Sequence, residues 1–182
     1  MRPAQLIRFV MLSIFVCTGL VGFFAPSVSA DDHDLLVRFT GGIGAIPVSN
    51  VVVNADGTVT VTRNMVRGVN SPGQIWVIDK LDAKVTTNGE ITVEGKGLVL
   101  GGGNNVGRAT GQRVFATLIC EAMAPFLEHN SELTGVPLAA NGDFDIDDVL
   151  EPLPPADCAS PVLLIRTAGS GNWFAAGIPT QD

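Results

Sequence analysis

Apolar and polar residues alternate with a period of two along much of this chain. The alternation is clearest over residues 58–62, 91–94 and 144–147, where Val, Ile or Phe takes turns with Thr, Glu or Asp. In an extended chain this period places apolar side chains on one face and polar side chains on the other. The pattern therefore predicts three half-buried β-strands.

A turn signal, Asp or Asn followed by Gly, precedes each of these strands. The three dipeptides are Asp56-Gly57, Asn88-Gly89 and Asn141-Gly142. Such dipeptides supply the positive φ angles of a two-residue primed turn, and each one here follows a strand-like segment. Three β-hairpins are therefore predicted, at about residues 49–63, 82–95 and 136–149.

Several other segments are rich in strand-forming residues. Residues 162–165 are apolar without alternation, which is typical of a central strand buried on both faces. Arg38 and Arg166 each end a similar apolar run, and we expect both side chains to extend into solvent. The further predicted strands are residues 35–39, 75–78, 98–100, 114–119, 162–166 and 173–176.

Only residues 120–132 have an apolar stripe with helical spacing, and Pro125 restricts this segment to a short helix or an irregular loop. We therefore expect an all-β domain built from repeated hairpins, with at most one short helix. A β-sandwich and a small barrel both fit this pattern.

The N-terminal segment has the features of an export signal. Two arginines flank a short polar start, an apolar run covers residues 9–25, Pro26 ends it, and small residues at 28–30 offer a peptidase site. We expect residues 1–30 to be a signal peptide and residues 31–182 to be a single secreted or periplasmic domain. Retention of the apolar run as a membrane anchor is the alternative.

Charge narrows the possible partners. Loss of Arg2 and Arg8 with the signal peptide would leave nine basic residues against 18 acidic ones, a formal charge of −9. Such a surface repels nucleic acid and anionic lipid. We expect no nucleic-acid partner and no membrane span after signal cleavage.

Two cysteines, Cys120 and Cys158, remain in the predicted mature chain. In an oxidising compartment a pair without a third competitor is expected to form a disulfide. Two buried free thiols are the alternative.

Three aspartates in one strand form the first candidate metal site. Asp143, Asp145 and Asp147 are spaced by two, so that their carboxylates share a face and repel one another unless a cation or an arginine intervenes. Oxygen ligands on an external protein point to Ca²⁺. The alternative is a solvent-facing charged row that keeps an edge strand from pairing with a neighbour.

The stretch 141–150 resembles the calcium loops of dockerin modules, whose repeats end in a similar Asp-Asp-hydrophobic-Leu run. The resemblance covers about ten residues. It lacks the second glycine of those loops, and Pro137 and Ala139 occupy positions where dockerins have acids. What it implies is a calcium ion held by this segment.

The new N-terminus is the second candidate metal site. Cleavage after Ala30 would leave Asp31, Asp32 and His33, whose free amine, two amides and imidazole supply four nitrogens in one plane. This geometry suits Cu(II) or Ni(II). We expect no resident cofactor, with Ca²⁺ at the aspartate row or Cu²⁺ at the new N-terminus as the alternatives.

Catalytic signatures are missing from the sequence. It has two histidines and no tyrosine, and Ser170 lacks the flanking pattern of a nucleophile elbow. We therefore expect a non-catalytic binding or surface-structural module for an unknown extracellular ligand or protein. The alternative is a small exported β-fold enzyme whose carboxylates only the fold brings together. A cleft lined by Trp76 or Trp173 with two inward carboxylates would favour the enzyme, whereas a filled interior would favour the binding module.

Overall fold

The computed structural model describes residues 34–180, which form fifteen β-strands and no helix. The strands are β1 Leu35–Gly44, β2 Val48–Val53, β3 Val59–Arg63, β4 Met65–Val66, β5 Val69–Asn70, β6 Trp76–Val77, β7 Lys80–Thr86, β8 Glu90–Lys96, β9 Val99–Leu100, β10 Arg113–Ile119, β11 His129–Asn130, β12 Val136–Pro137, β13 Phe144–Val149, β14 Val162–Thr167 and β15 Trp173–Thr180. The all-β prediction is confirmed.

Nine strands form one antiparallel sheet in the order β11-β10-β14-β15-β1-β7-β8-β13, and β12 also pairs with β10. The two ends of this sheet approach each other: β12 contacts β13, and Asn130 forms an isolated bridge with Glu151. The result is a nearly closed, barrel-like sheet. We call the gap between β10 and β13 the seam.

The barrel interior is filled by apolar side chains. Along β7 and β8 every second residue points inward, and Leu81, Val85 and Ile91 are completely buried. The buried polar residues of segment 34–180 are serines, threonines and His129, and no carboxylate is among them. Hydrophobic burial of this kind is the main stabilising contribution to the fold.

Strand β14 lies between β10 and β15, as predicted for a central strand. The chain that follows β10 contacts this strand at Arg166. This segment is fixed by a disulfide between Cys120 and Cys158 and by an ion pair between Glu128 and Arg166. The predicted disulfide is therefore confirmed, and Arg166 is largely buried rather than extended into solvent.

Two of the three predicted hairpins are confirmed: β2 pairs with β3, and β7 pairs with β8. The third is wrong. Strand β13 instead pairs with β8, from Phe144 opposite Gly95 to Val149 opposite Glu90, while β12 pairs with β10. Strand β8 offers β13 six continuous partners, whereas β12 is only two residues long.

The turns also differ from the predicted type, and all three share one geometry. Each is a three-residue loop whose glycine, Gly57, Gly89 or Gly142, donates its amide to the carbonyl three residues earlier. Only the glycine has a positive φ, of 82°, 84° and 85° respectively. This is the type I turn with a glycine bulge, in which the preceding Asp or Asn keeps a negative φ.

Candidate functional site

The β2–β3 hairpin projects from the barrel as a separate two-stranded ribbon. We call residues 48–63 the arm. It pairs with no other strand of the described chain, and all of its residues are exposed. Its turn is closed by Asp56, whose carboxylate accepts hydrogen bonds from the hydroxyl and amide of Thr58 at 2.6 and 3.0 Å. These bonds lower the pKa of Asp56 below its ordinary value of 3.8.

The two faces of the arm differ in polarity. Cross-strand pairing places Val51 opposite Val61 and Val53 opposite Val59, so that these four side chains share one face. We call this the valine face, and its residues are between 54% and 72% exposed. The opposite face carries Asn50, Thr60 and Thr62 around a single apolar residue, Val52.

The root of the arm is held to the barrel by hydrogen bonds. Buried Ser71 donates its amide to the carbonyl of Asn64 at 2.9 Å and its hydroxyl to the carbonyl of Pro47 at 3.0 Å. Asn64 in turn bonds across the root to the carbonyls of Pro47 and Ile46. The arm is thus anchored at its base, and exposed Ile46 and Met65 flank it there.

A second surface feature is a groove of about 440 Å³ that crosses the outer faces of β1, β7, β8 and β13. We call it the charged groove. Two rows of cross-strand neighbours form its walls: Thr40, Asp82, Glu94 and Asp145 on one side, and Arg38, Lys84, Thr92 and Asp147 on the other.

Two carboxylates of the charged groove, Asp82 and Glu94, are paired with lysines. Lys80 contacts Asp82 at 2.7 Å and Glu94 at 3.5 Å, and Lys96 contacts Glu94 at 3.4 Å. The hydrogen bond that Lys80 donates to Asp82, together with the negative charge of Asp82, raises the pKa of Lys80. These groups lie in solvent, where such pairs contribute little to stability.

The candidate calcium residues lie in and beside this groove. Asp145 and Asp147 are exposed on β13, the terminal strand of the sheet. Asp143 accepts a hydrogen bond from the amide of Gly97 at 3.1 Å and lies 3.9 Å from Lys96. Within residues 34–180, no three His, Cys, Asp or Glu side chains come together in a group that could hold a metal ion. Calcium binding by this row stays a prediction.

The candidate copper residues Asp31, Asp32 and His33 lie outside the described residues, as does the predicted signal peptide. Copper binding there also stays a prediction. In the part of the chain that is described, no helix is long and apolar enough to cross a membrane.

Trp76 lies at one end of the barrel, where its ring stacks on Phe174 with centroids 3.9 Å apart. The two rings line a pocket of about 340 Å³. Its polar groups are amides and hydroxyls, from Gln74, Gln112 and Ser170 among others, and no carboxylate lines it. The other tryptophan, Trp173, is buried. The arrangement that would favour an enzyme is therefore not found in this pocket.

Sequence reasoning missed two features of the described chain. His129 is fully buried, and its Nδ1 donates to the carbonyl of Pro152 at 2.7 Å. The exposed valine face was also unforeseen, because alternation indicates an apolar face without showing what covers it. One sequence signal was available: residues 48–62 contain a single charged residue, Asp56, which is unusual for an exposed ribbon.

Comparison with known proteins gives no match: no family model fits the chain, and no curated protein or solved structure is significantly similar to it.

Proposed function

We propose that this protein is an exported, non-catalytic binding or surface-structural module that engages a protein partner through its arm. The observation that carries the proposal is the uncovered valine face outside a filled barrel. Exposed apolar patches on soluble proteins mark interaction sites more often than isolated apolar residues do. A two-stranded ribbon is also marginally stable alone, so that a partner covering its apolar face would stabilise it.

The main chain of the arm supports the same proposal. Neither β2 nor β3 has a second neighbour among the described strands, so both outer edges keep unpaired N–H and C=O groups. Proteins usually protect such edges with lysine, proline or a covering segment. The arm has no lysine and no proline within residues 48–63.

An enzyme that uses carboxylates assembled by the fold has less support. The carboxylates of the charged groove stand on the outer surface, where lysines pair with Asp82 and Glu94. General acid–base chemistry by paired carboxylates depends on environments that separate their pKa values, which burial usually supplies. The described interior contains no carboxylate.

Site-specific photo-crosslinking in the producing cells tests the proposed function. A photoreactive residue at Val61, on the valine face, should give an adduct of discrete mass. The same residue at Val52, on the opposite face of the ribbon, is the matched control and should give little adduct. Absence of any adduct at Val61, or heterogeneous adducts of similar yield from both positions, would contradict a specific protein partner on this face.

A further inference from the structure

We propose that the partner of the arm is a second copy of this chain, with the two valine faces packed against each other about a twofold axis. The inference rests on the proposed function, since it names the occupant of the same surface. In a twofold contact, one patch must complement itself. Four valines in two cross-strand pairs make a flat, uncharged patch that satisfies this condition.

Charge favours the arm as the place where two copies meet. The predicted mature chain has a formal charge of −9, so that two copies repel each other over most of their surface. Residues 48–63 contain one acid, Asp56, and one base, Arg63, and have no net charge. The four valines are themselves uncharged, and Arg63, two residues after Val61, lies on the same side of the ribbon at its root end.

The geometry of stacked sheets fits the same arrangement. Two sheets pack face to face about 10 Å apart, with apolar side chains interdigitating between them. Two arms in this arrangement would form a small four-stranded, two-layer structure. The Asn and Thr side chains of the opposite faces would stay in solvent.

The size of the arm sets the strength of the contact. Five cross-strand pairs at about 3.4 Å per residue give a ribbon roughly 17 Å long. Two strands are about 10 Å wide, so that the face of the ribbon covers only about 170 Å². This area is well below the ~800 Å² per partner of a standard interface, so that the exposed side chains at the root, Ile46 and Met65, must contribute. We therefore expect a dimer with a dissociation constant of order micromolar rather than nanomolar.

Sedimentation of the purified mature protein over a range of concentrations tests the dimer. The double variant Val51→Thr/Val61→Thr should weaken dimerisation at least ~10-fold, because each contact then buries unpaired hydroxyls. Val52→Thr makes the same chemical change on the opposite face and should leave the dissociation constant within about twofold. Thermal midpoints of all three proteins control for folding.

The effect of salt on the association distinguishes a second copy of the chain from a partner of opposite charge. Raising the salt from about 50 to about 500 mM should strengthen the dimer, because screening reduces repulsion between two acidic copies. An association that weakens with salt would point to ionic docking and would contradict the valine-face dimer.

Cysteine crosslinking tests the face directly. With a short bis-maleimide, Val61→Cys should form a covalent dimer much faster than Val52→Cys. Purified protein that remains monomeric at its highest soluble concentration, together with equal crosslinking of the two variants, would overturn the proposal that the partner is a second copy of the chain. A photo-adduct at Val61 whose mass is not twice that of the chain would also overturn it while leaving the proposed function intact, whereas no adduct at all would overturn both.

Discussion

Whether the Arg166 side chain is buried or exposed depends on residues that are distant in the sequence. Its Nε donates to the carbonyl of Gly171 at 2.8 Å, and its guanidinium lies 2.6 Å from Glu128 and 5.2 Å from the ring centre of Phe115. The sequence favoured an arginine that reaches solvent, because Glu128 lies 38 residues away and nothing local indicates their contact. Turn residues behave differently: Asp56, next to its glycine, acts within three residues and was recognisable.

We expect Arg166→Ala to lower the free energy of unfolding by about 3 kcal/mol. The Arg166 side chain is only 13% exposed, and its removal leaves Glu128 and the carbonyl of Gly171 without their partner. Glu128→Gln should cost about 1 kcal/mol or less, because Glu128 is 40% exposed and solvent screens its charge. Lys80→Gln, at an exposed pair, is the control and should have almost no effect. Urea denaturation measures all three, and equal losses for Arg166→Ala and Lys80→Gln would contradict this ranking.

At the scale of elements, the chain is predictable where its contacts are local. The hairpins β2–β3 and β7–β8 follow from a turn dipeptide and flanking alternation, and both form. The stretch that carries β12 and β13 has the same local signals, but its strands separate to opposite sides of the seam. The choice depends on the long partner offered by β8, and no pattern within 136–149 reveals that partner.

The valine face shows the same limit for the candidate site. Alternation over 58–62 correctly indicated that the valines share a face. It could not show that the barrel closes without them, because closure depends on pairings such as β1 with β7 and β15. The charged groove could not be predicted either, since its walls combine the β7–β8 hairpin with β1 and β13, which are distant from it in the sequence.

The disulfide is expected to be a major stabilising element of the region around the seam. Cys120 and Cys158 are 38 residues apart, and closing a loop of this length is expected to stabilise the fold by roughly 3 to 4 kcal/mol. Reduction, or the double variant Cys120→Ser/Cys158→Ser, should lower the thermal midpoint by several degrees. Calorimetry with and without reductant measures the shift. An unchanged midpoint, after mass spectrometry has shown both thiols to be free, would contradict the expectation.

On the scale of the whole molecule, stability is unevenly distributed. The barrel has a buried apolar core, and its strands β10 and β14 are covered on both faces. The arm has no buried residue and forms hydrogen bonds only within its own ribbon and at its root. Regions with few buried contacts open locally at a small free-energy cost.

Hydrogen exchange should therefore separate the two regions. Amides of the arm should exchange quickly in dilute protein and become protected as concentration rises and the arms associate. Amides of β10 and β14 should exchange slowly at every concentration. In the Val51→Thr/Val61→Thr variant, the exchange rates of the arm amides should no longer depend on concentration, and those of β10 and β14 should be unchanged. Protection of the arm that is already high in dilute protein would contradict this distribution.

The loop closed by Cys120 and Cys158 has a consequence for proteolysis. Strands β11, β12 and β13 lie between the two cysteines, whereas β10, on the other side of the seam from β13, ends just before Cys120. A single cut by an extracellular protease anywhere between the two cysteines therefore leaves both pieces covalently joined. The clipped molecule would keep β13 tethered beside β8, ready to pair again, and would separate into fragments only under reducing conditions.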